Sequence, residues 1–167
     1  MVSKPTLHFR ETTLKDGPLI EKWLMEPGTL AGFPMENQRE VADAVAIWLR
    51  YVGQGTALTA LHKKTPCAAA NLYIQPIEKL KHQCLFVVIV DGRYRNQGIG
   101  RLLVQALERR AKERFNIEVL HLEVYENNKA IRLYERLGFT RYGVHPRFLK
   151  DQDGNYYDKI LMQKQLR

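Results

Sequence analysis

A short basic stretch with two glycines carries the strongest chemical signal in this sequence. It reads Arg93-Tyr94-Arg95-Asn96-Gln97-Gly98-Ile99-Gly100, follows an apolar run at 85–90 and opens a long amphipathic segment. Glycine has no Cβ, so the backbone N–H groups of such a turn can approach a ligand closely. A helix N-terminus adds unpaired N–H donors and partial positive charge, and arginines pair with phosphate oxygens. The pattern therefore predicts a seat for a phosphate-bearing ligand.

Three interpretations of this stretch are open. A dinucleotide-binding turn would have a third glycine where this sequence has the bulky Leu103. In a purely structural interpretation, Gly98 and Gly100 ease a turn and the arginines are solvated. The third interpretation is the pyrophosphate loop of an acyl-CoA N-acyltransferase, with the pattern Gln/Arg-x-x-Gly-x-Gly/Ala. Residues 95–100 match every fixed position of that pattern.

A second motif supports the third interpretation. It reads Asn127-Asn128-Lys129-Ala130-Ile131-Arg132-Leu133-Tyr134-Glu135-Arg136-Leu137-Gly138-Phe139. This stretch is similar to the Asn-x-x-Ala-x-x-Leu-Tyr-x-x-x-Gly-Phe pattern of the same enzymes. With both motifs in order, the chain resembles the GNAT superfamily of acyl-CoA N-acyltransferases over nearly its whole length, most strongly at 85–139. One departure is Gly92, where many members have proline just before the loop.

Hydrophobic periodicity predicts the elements that position these motifs. Strands are expected at 7–11, 56–62, 67–74, 84–90 and 118–125, helices at 14–24, 39–51, 98–115 and 130–137, and a hairpin at 139–149 and 156–163. This order predicts an α/β fold, with residues 1–167 as a single N-acetyltransferase domain. The resemblance implies a mixed central β-sheet, splayed at the acyl-CoA site and flanked by helices.

Composition limits the classes of function. The chain has 167 residues, two cysteines and a formal net charge of +8. Met1–Pro5 lacks the apolar core of a signal peptide, and no apolar run approaches the ~20 residues needed to span a bilayer, so a cytoplasmic protein is expected. No Cys/His spacing indicates a metal site. The basic residues are dispersed without an aromatic-basic motif, so a nucleic-acid partner is not expected.

The resemblance implies how acetyl-CoA is bound. Backbone groups of the strand before the loop would hold the pantetheine arm, and the loop would hold the pyrophosphate. Asn127 is expected to cap the short helix that follows it, with contact to the pantetheine as the alternative. The expected cofactor-binding residues are Val88, Ile89, Val90, Arg93, Arg95, Asn96, Gln97, Gly98, Ile99, Gly100, Arg101, Asn127 and Tyr134.

Two residues are the candidates for catalysis. By resemblance, Tyr134 is the general acid that protonates the leaving CoA thiolate; the alternative is a core aromatic. Glu123 is the candidate base that deprotonates the amine, and the alternative is a strand carboxylate in an ion pair. A similar Leu-Glu-Val strand occurs in ribosomal-protein alanine acetyltransferases, although this chain has one residue fewer between that Glu and the Tyr. His121 is a candidate proton relay on the same strand face.

The acceptor is the part least determined by the sequence. Phe33, Met35, Glu36, Tyr73 and His145 are expected to line its site. The expected function is transfer of an acetyl group from acetyl-CoA to a primary amine, by direct attack in a ternary complex. A small amine, an amino acid or a protein N-terminus would serve as acceptor, and a homodimer is a further expectation. The alternative functions are use of a longer acyl-CoA, or a catalytically silent acyl-CoA-binding sensor or interaction module.

Overall fold

The computed structural model describes residues 6–167. Met1–Pro5, on which the expectation about a signal peptide rests, lies outside the described residues. The strands are β1 (Leu7–Glu11), β2 (Ala57–His62), β3 (Thr65–Ile74), β4 (Gln83–Val90), β5 (Val119–Tyr125), β6 (Thr140–Lys150) and β7 (Tyr156–Gln165). The α-helices are α1 (Gly17–Leu24), α2 (Gln38–Leu49), α3 (Ile99–Phe115) and α4 (Ala130–Arg136).

All seven strands of the described chain form one sheet, in the order β1-β2-β3-β4-β5-β7-β6. Neighbouring strands are antiparallel except β4 and β5, which are parallel and are joined through α3. The sheet is therefore mixed. Within residues 6–167 its one parallel pair consists of β4, which the first motif follows, and β5, which the second motif follows. The predicted α/β fold is confirmed.

Helices cover both faces of the sheet because its central strands are apolar on both sides. Leu103 and Leu107 of α3 pack on one face with the core residues Leu72 and Leu120. Helices α1 and α2 pack on the other face, where Trp23 contacts the cluster that includes Ala69 and Ile89. Cys67 and Cys84 are buried free thiols, as predicted, and burial raises their pKa to about 11 and about 12 respectively.

The sheet forks between β4 and β5. Their parallel pairing is confined to Gln83–Leu85 and Val119–His121. Beyond that point β4 continues alongside β3 up to Val90, whereas β5 continues alongside β7 up to Tyr125. Each strand follows its antiparallel neighbour, so residues 86–90 and 122–125 diverge. This fork is the splay that the resemblance implied.

Long apolar helices are absent from the described residues: none there meets the length and hydropathy needed to cross a membrane.

Candidate active site

The fork opens into a cleft of about 1260 Å³. One wall is formed by residues 86–90 of β4, the turn after it and the start of α3, and the opposite wall includes residues 122–124 of β5 and the start of α4. The loop at 28–36, between α1 and α2, also lines the cleft. The two sequence motifs therefore meet across one cavity.

The turn before α3 is built to present backbone N–H groups. Gly98 has φ +80°, in the left-handed region that glycine adopts at little cost, and α3 begins at the next residue. The first α-helical bond here runs from the Leu102 N–H to the Gly98 carbonyl at 3.2 Å. The N–H groups of Ile99, Gly100 and Arg101 therefore have no intrahelical partner and point out of the helix end.

The free edge of β4 presents a second set of backbone groups. The Asp91 N–H donates to the Cys67 carbonyl of β3 at 2.9 Å. Backbone groups alternate in direction along a strand, so those of Ile89 face β3 and those of Val88 and Val90 face the fork. The Val90 carbonyl accepts a hydrogen bond from Arg95 Nε at 3.1 Å. Of the three predicted strand residues, Val88 and Val90 thus present backbone groups to the cleft, whereas the backbone groups of Ile89 pair with β3.

The basic side chains of the turn divide between the cleft and other protein groups. Arg93 is ion-paired with the buried Asp91 and does not line the cleft. This contact raises the pKa of Arg93 and lowers that of Asp91. Gln97 also lies outside the cleft, because its amide donates to the Arg93 carbonyl. Arg95 and Arg101 both line the cleft, but Arg95 is also held by Glu26, Thr29 and Val90, whereas within residues 6–167 Arg101 has no such contacts.

Two further basic residues line the cleft from the α4 side. Lys129 immediately precedes α4 and Arg136 ends it. Both stand at variable positions of the second motif, so the motif did not predict a role for them. The available signal for a role in phosphate binding was their spacing on a short helix, which faces the loop predicted to bind phosphate.

Tyr134 lies in the cleft among aromatic rings. Its ring centroid is 6.1 Å from that of Phe86 and 5.9 Å from that of Phe139, both in edge-to-face arrangements. Burial raises its pKa to about 12. The phenol therefore stays protonated at neutral pH and is available as a donor. Its hydroxyl makes no hydrogen bond to another of residues 6–167, and the side chain lines the cleft.

The capping prediction for Asn127 is wrong, because the neighbouring residue performs that role. Asn128 Oδ1 accepts a hydrogen bond from the Ala130 N–H at 2.9 Å, at the start of α4. Asn127 instead adopts a left-handed conformation with φ +68°, which turns the chain out of β5. Asn127 lines the cleft, and its contact with a ligand stays a prediction.

Glu123 reaches the cleft but is already paired. Its carboxylate lies 3.2 Å from Lys159 Nζ of β7, and 41% of the Glu123 side chain is exposed. The Lys159 ammonium also lies 3.7 Å from the centre of the Phe148 ring. His121 faces a separate small cavity beside the paired half of the two strands. Burial lowers the pKa of His121, which is therefore neutral at pH 7 and is not placed to relay protons from the cleft.

The predicted acceptor residues separate into two groups. Phe33, Met35 and Glu36 line the cleft, and Tyr73 and His145 do not. Tyr73 pairs with Leu85 in the closed part of the sheet, below the fork, and its ring packs on Tyr51 at 5.2 Å. His145 lies on the edge strand β6, which β7 separates from β5.

A turn that contains none of the predicted site residues also lines the cleft. This is the β6–β7 turn, which contributes Asp151, and Tyr157 follows it on β7. Asp151 accepts hydrogen bonds from the Asn155 N–H at 2.8 Å and from the Tyr157 hydroxyl at 2.9 Å. Polar turn residues are common, so their types alone carried no signal that they approach the cleft.

Comparison with known proteins connects this geometry to a family. Spermine/spermidine N(1)-acetyltransferase of Bacillus subtilis (strain 168) is 39% identical over 51 residues, which is 30% of this chain and 34% of that protein. Other curated relatives are matched over 52–55% of their own length. The chain thus spans between a third and about half of the curated relatives it matches.

Solved structures extend the similarity to the whole fold. Ribosomal-protein-alanine N-acetyltransferase from Brucella melitensis superimposes with a TM-score of 0.81 and 25% identity, over 95% of this chain and 99% of that one. The structure of yncA from Salmonella typhimurium, solved with its cofactor acetyl-CoA, gives a TM-score of 0.82 and 21% identity, over 96% and 94% of the two chains.

The family model described as acetyltransferase (GNAT) family matches residues 18–139. That range runs from α1 through the forked strands to Phe139, three residues beyond the end of α4, and it contains both sequence motifs and the forked segments of β4 and β5 that line the cleft. With motifs, fork and family model in agreement, the chain belongs to the GNAT family of acetyltransferases.

Proposed function

We propose that this protein transfers an acetyl group from acetyl-CoA to a primary amine. The observation that carries the proposal is the fork itself. Around one cleft lie the unpaired backbone edge of β4, the N–H groups of the first turn of α3 and the Tyr134 hydroxyl. An extended pantetheine arm can bond to a strand edge as an added strand does, and a pyrophosphate suits a helix N-terminus.

The free protein has room for such a ligand at the turn. A Cβ added to Gly100 would lie 3.6 Å from Leu133 Cδ2 and 3.8 Å from Val90 Cγ2, which are ordinary contacts. Protein packing therefore does not require glycine at this position. Close approach of a phosphate to the helix backbone would account for the glycine at position 100. Arg101, Lys129 and Arg136 line the same cleft and supply positive charge for the phosphates.

The proposed reaction is direct attack by the amine. The nitrogen lone pair forms a bond to the thioester carbonyl carbon, and the C–S bond then breaks to release CoA thiolate. The Val90 N–H, facing the fork, supports the carbonyl oxygen as it gains charge. One proton leaves the nitrogen and one reaches the sulfur, so the products are the amide and the free thiol.

Tyr134 is proposed to stabilise the leaving sulfur. Its pKa of about 12 lies well above the ~8.5 of a free thiol. Complete transfer of its proton to the thiolate is therefore uphill, and its main contribution is a charge-assisted hydrogen bond as the C–S bond breaks. The proton that ends on sulfur comes from the amine nitrogen or from water.

Glu123 is proposed as the group that receives the amine proton. It faces the cleft from β5, opposite the β4 edge. The ion pair with Lys159 keeps its carboxylate in place and lies at the acceptor end of the site. Phe33, Met35 and Glu36 would contact the acceptor from the loop between α1 and α2.

Similarity to a polyamine acetyltransferase and to a ribosomal-protein-alanine acetyltransferase suggests two acceptor classes, small amines and protein N-termini. The test is an amine panel that includes polyamines, free amino acids, aminoglycosides and short peptides with free N-termini. Thiol release from acetyl-CoA is followed, and the acetylated product is identified by mass spectrometry. Amine-dependent thiol release with a matching amide supports the proposal. Tight acetyl-CoA binding without product from any amine would contradict it.

Two expectations about partners stay proposals. A homodimer would give a sedimentation mass of about twice the 19.5 kDa chain. Absence of nucleic-acid binding would appear as no shift of a labelled oligonucleotide at physiological salt, where weak backbone contacts are screened.

A further inference from the structure

The loop between α1 and α2 crosses the mouth of the cleft. We call residues 26–36 the strap. Near its middle, Gly32 approaches the start of α4 so closely that an added Cβ would lie 3.1 Å from Asn128 Nδ2. At its beginning the strap touches the turn that follows β4. It therefore spans from one arm of the forked sheet to the other, and it carries Phe33, Met35 and Glu36 into the cleft.

The contacts at the β4 end are polar and concentrated on one glutamate and one arginine. Glu26 Oε2 accepts from the Gly92 N–H at 2.8 Å and from Arg95 Nη2 at 3.1 Å. The same Arg95 nitrogen donates to Thr29 Oγ1 at 3.0 Å, while Arg95 Nε donates to the Val90 carbonyl at 3.1 Å. A single guanidinium thus joins the end of β4 to the strap.

This arrangement explains the glycine that departs from the family pattern. A Cβ at Gly92 would lie 2.6 Å from Glu26 Oε2, which is too close for any side chain without displacing the glutamate. A proline there would also remove the N–H group that donates a hydrogen bond to Glu26. Gly92 therefore leaves room for the Glu26 carboxylate at this N–H group, and a larger residue would displace the flexible end of that glutamate. Nearby, Trp23 Nε1 donates to Asp91 Oδ2 at 3.0 Å and holds α1 to the same turn.

We propose that Glu26, Gly92 and Arg95 form a latch that couples the acetyl-CoA loop to the amine-acceptor side of the cleft. In this role Arg95 is a positioning residue for the strap, and the phosphates are bound by backbone N–H groups and by other basic side chains. The inference rests on the proposed function, because it assumes that acetyl-CoA occupies the β4 side and the acceptor occupies the strap side. Breaking the latch loosens the strap and leaves the phosphate seat intact.

The test is a double-mutant cycle with Glu26→Ala, Arg95→Met and the double variant. Each single change is expected to raise the acceptor KM by about tenfold, the lower end for a lost charge-assisted hydrogen bond in a partly exposed pair. The acetyl-CoA dissociation constant should stay within about twofold of the parent value. The double variant should lose clearly less than the sum of the two single losses, because the Glu26–Arg95 contact is already lost in each single variant.

Control variants separate the latch from general effects. Glu113→Ala removes a carboxylate from the exposed face of α3 and should leave both constants unchanged. Glu26→Gln retains an oxygen acceptor and should recover part of the lost acceptor affinity. Hydrogen exchange of the Phe33 N–H, which bonds to the Leu30 carbonyl at 3.0 Å, should accelerate in Glu26→Ala and Arg95→Met. This readout does not depend on catalysis.

Three results would overturn the latch. One is additive losses in the cycle. Another is weaker acetyl-CoA binding in Arg95→Met alone, which would make Arg95 a phosphate ligand. The third is an acceptor KM and exchange rate that match the parent in both single variants. Failure of the proposed function is distinguishable, since the parent protein would then release no thiol in the presence of any amine.

Discussion

The two walls of the cleft are built on different principles. On the cofactor wall, the end of β4 and the N-terminus of α3, the groups offered to the ligand are mostly backbone N–H and C=O groups. On the proposed acceptor wall, the strap and the β5–β7 side, the residues that line the cleft include Glu123, Glu36 and Phe33, whose side chains would contact the acceptor. A backbone-built wall has a geometry that local residues determine, such as Gly98 at φ +80°. A side-chain wall depends on how distant elements pack, so its geometry is not determined by the local sequence alone.

Tyr134 lies between the two walls, and its removal should have the largest effect on turnover. Tyr134→Phe deletes one oxygen and keeps the ring that packs against Phe86 and Phe139. We expect kcat to fall roughly ten- to a hundredfold, since a hydrogen bond to a charged group contributes ~1.5–3 kcal/mol. The acetyl-CoA dissociation constant should change little, because the hydrogen bond strengthens only as charge develops on sulfur.

Steady-state kinetics with any accepted amine measures this effect, with chemistry established as the slow step by single-turnover experiments. A kcat within about twofold of the parent would identify Tyr134 as a core aromatic and contradict the proposed hydrogen bond to the leaving sulfur.

Gly100 tests the backbone-built wall. Gly100→Val places a branched side chain where a phosphate would approach the helix, and we expect acetyl-CoA affinity to fall at least about tenfold. Gly100→Ala is the matched variant, because its Cβ meets only ordinary contacts in the free protein. Alanine should preserve or raise thermal stability, by up to about 1 kcal/mol in a helix, while still weakening the ligand.

Titration calorimetry and thermal unfolding together separate the two effects. Unchanged acetyl-CoA affinity in both Gly100 variants would show that the phosphates bind elsewhere.

Glu123 tests the side-chain wall, where the expected effect is smaller. Glu123→Gln should lower kcat/KM by roughly three- to tenfold, less than a positioned base usually contributes, since water can also accept the proton. The loss should be greatest at low pH, where nearly all of an alkyl amine is protonated and its deprotonation is most demanding. Lys159→Met, which removes the partner 3.2 Å away, distinguishes a base from a structural ion pair.

If Glu123 acts only through that ion pair, the two variants will share one phenotype and leave the pH profile unaltered. If Glu123 is the base, Lys159→Met will retain a pH-dependent activity that Glu123→Gln lacks.

The same contrast between walls explains what the sequence revealed. The turn at 95–100 and its place between a strand and a helix were predictable because glycine and helix-capping geometry are local. The fork was implied only by resemblance, since its position depends on where the pairing of β4 with β5 stops, at Leu85 and His121. The side-chain direction of Arg95 was not predictable, because its partners Glu26 and Thr29 are 69 and 66 residues away.

Asn127 shows the same limit on a smaller scale. A cap was predicted for the correct helix, but the residue that performs it is the next one, Asn128. Adjacent asparagines have equal propensities for this role, and only the left-handed turn at Asn127 decides between them. Lys129 and Arg136 were likewise undetected, although they lie inside a motif that had been recognised.

The smallest effects are expected at the two predicted acceptor residues that the fold keeps out of the cleft. Tyr73 lies below the fork opposite Leu85, where burial raises its pKa to about 12, and His145 lies on the edge strand β6. Tyr73→Phe retains the ring that packs on Tyr51, and His145→Gln replaces an exposed polar side chain with another. Neither variant changes a group that lines the cleft, so kcat and both KM values should stay within about twofold of the parent.

The measurement is the same steady-state assay, with Glu123→Gln as the positive control on the acceptor wall. A selective rise in the acceptor KM of His145→Gln would mean that the acceptor extends beyond the cleft and over β7 to the sheet edge. The acceptor would then be long, as a peptide is, and the acceptor wall would extend over β7 to the edge strand β6.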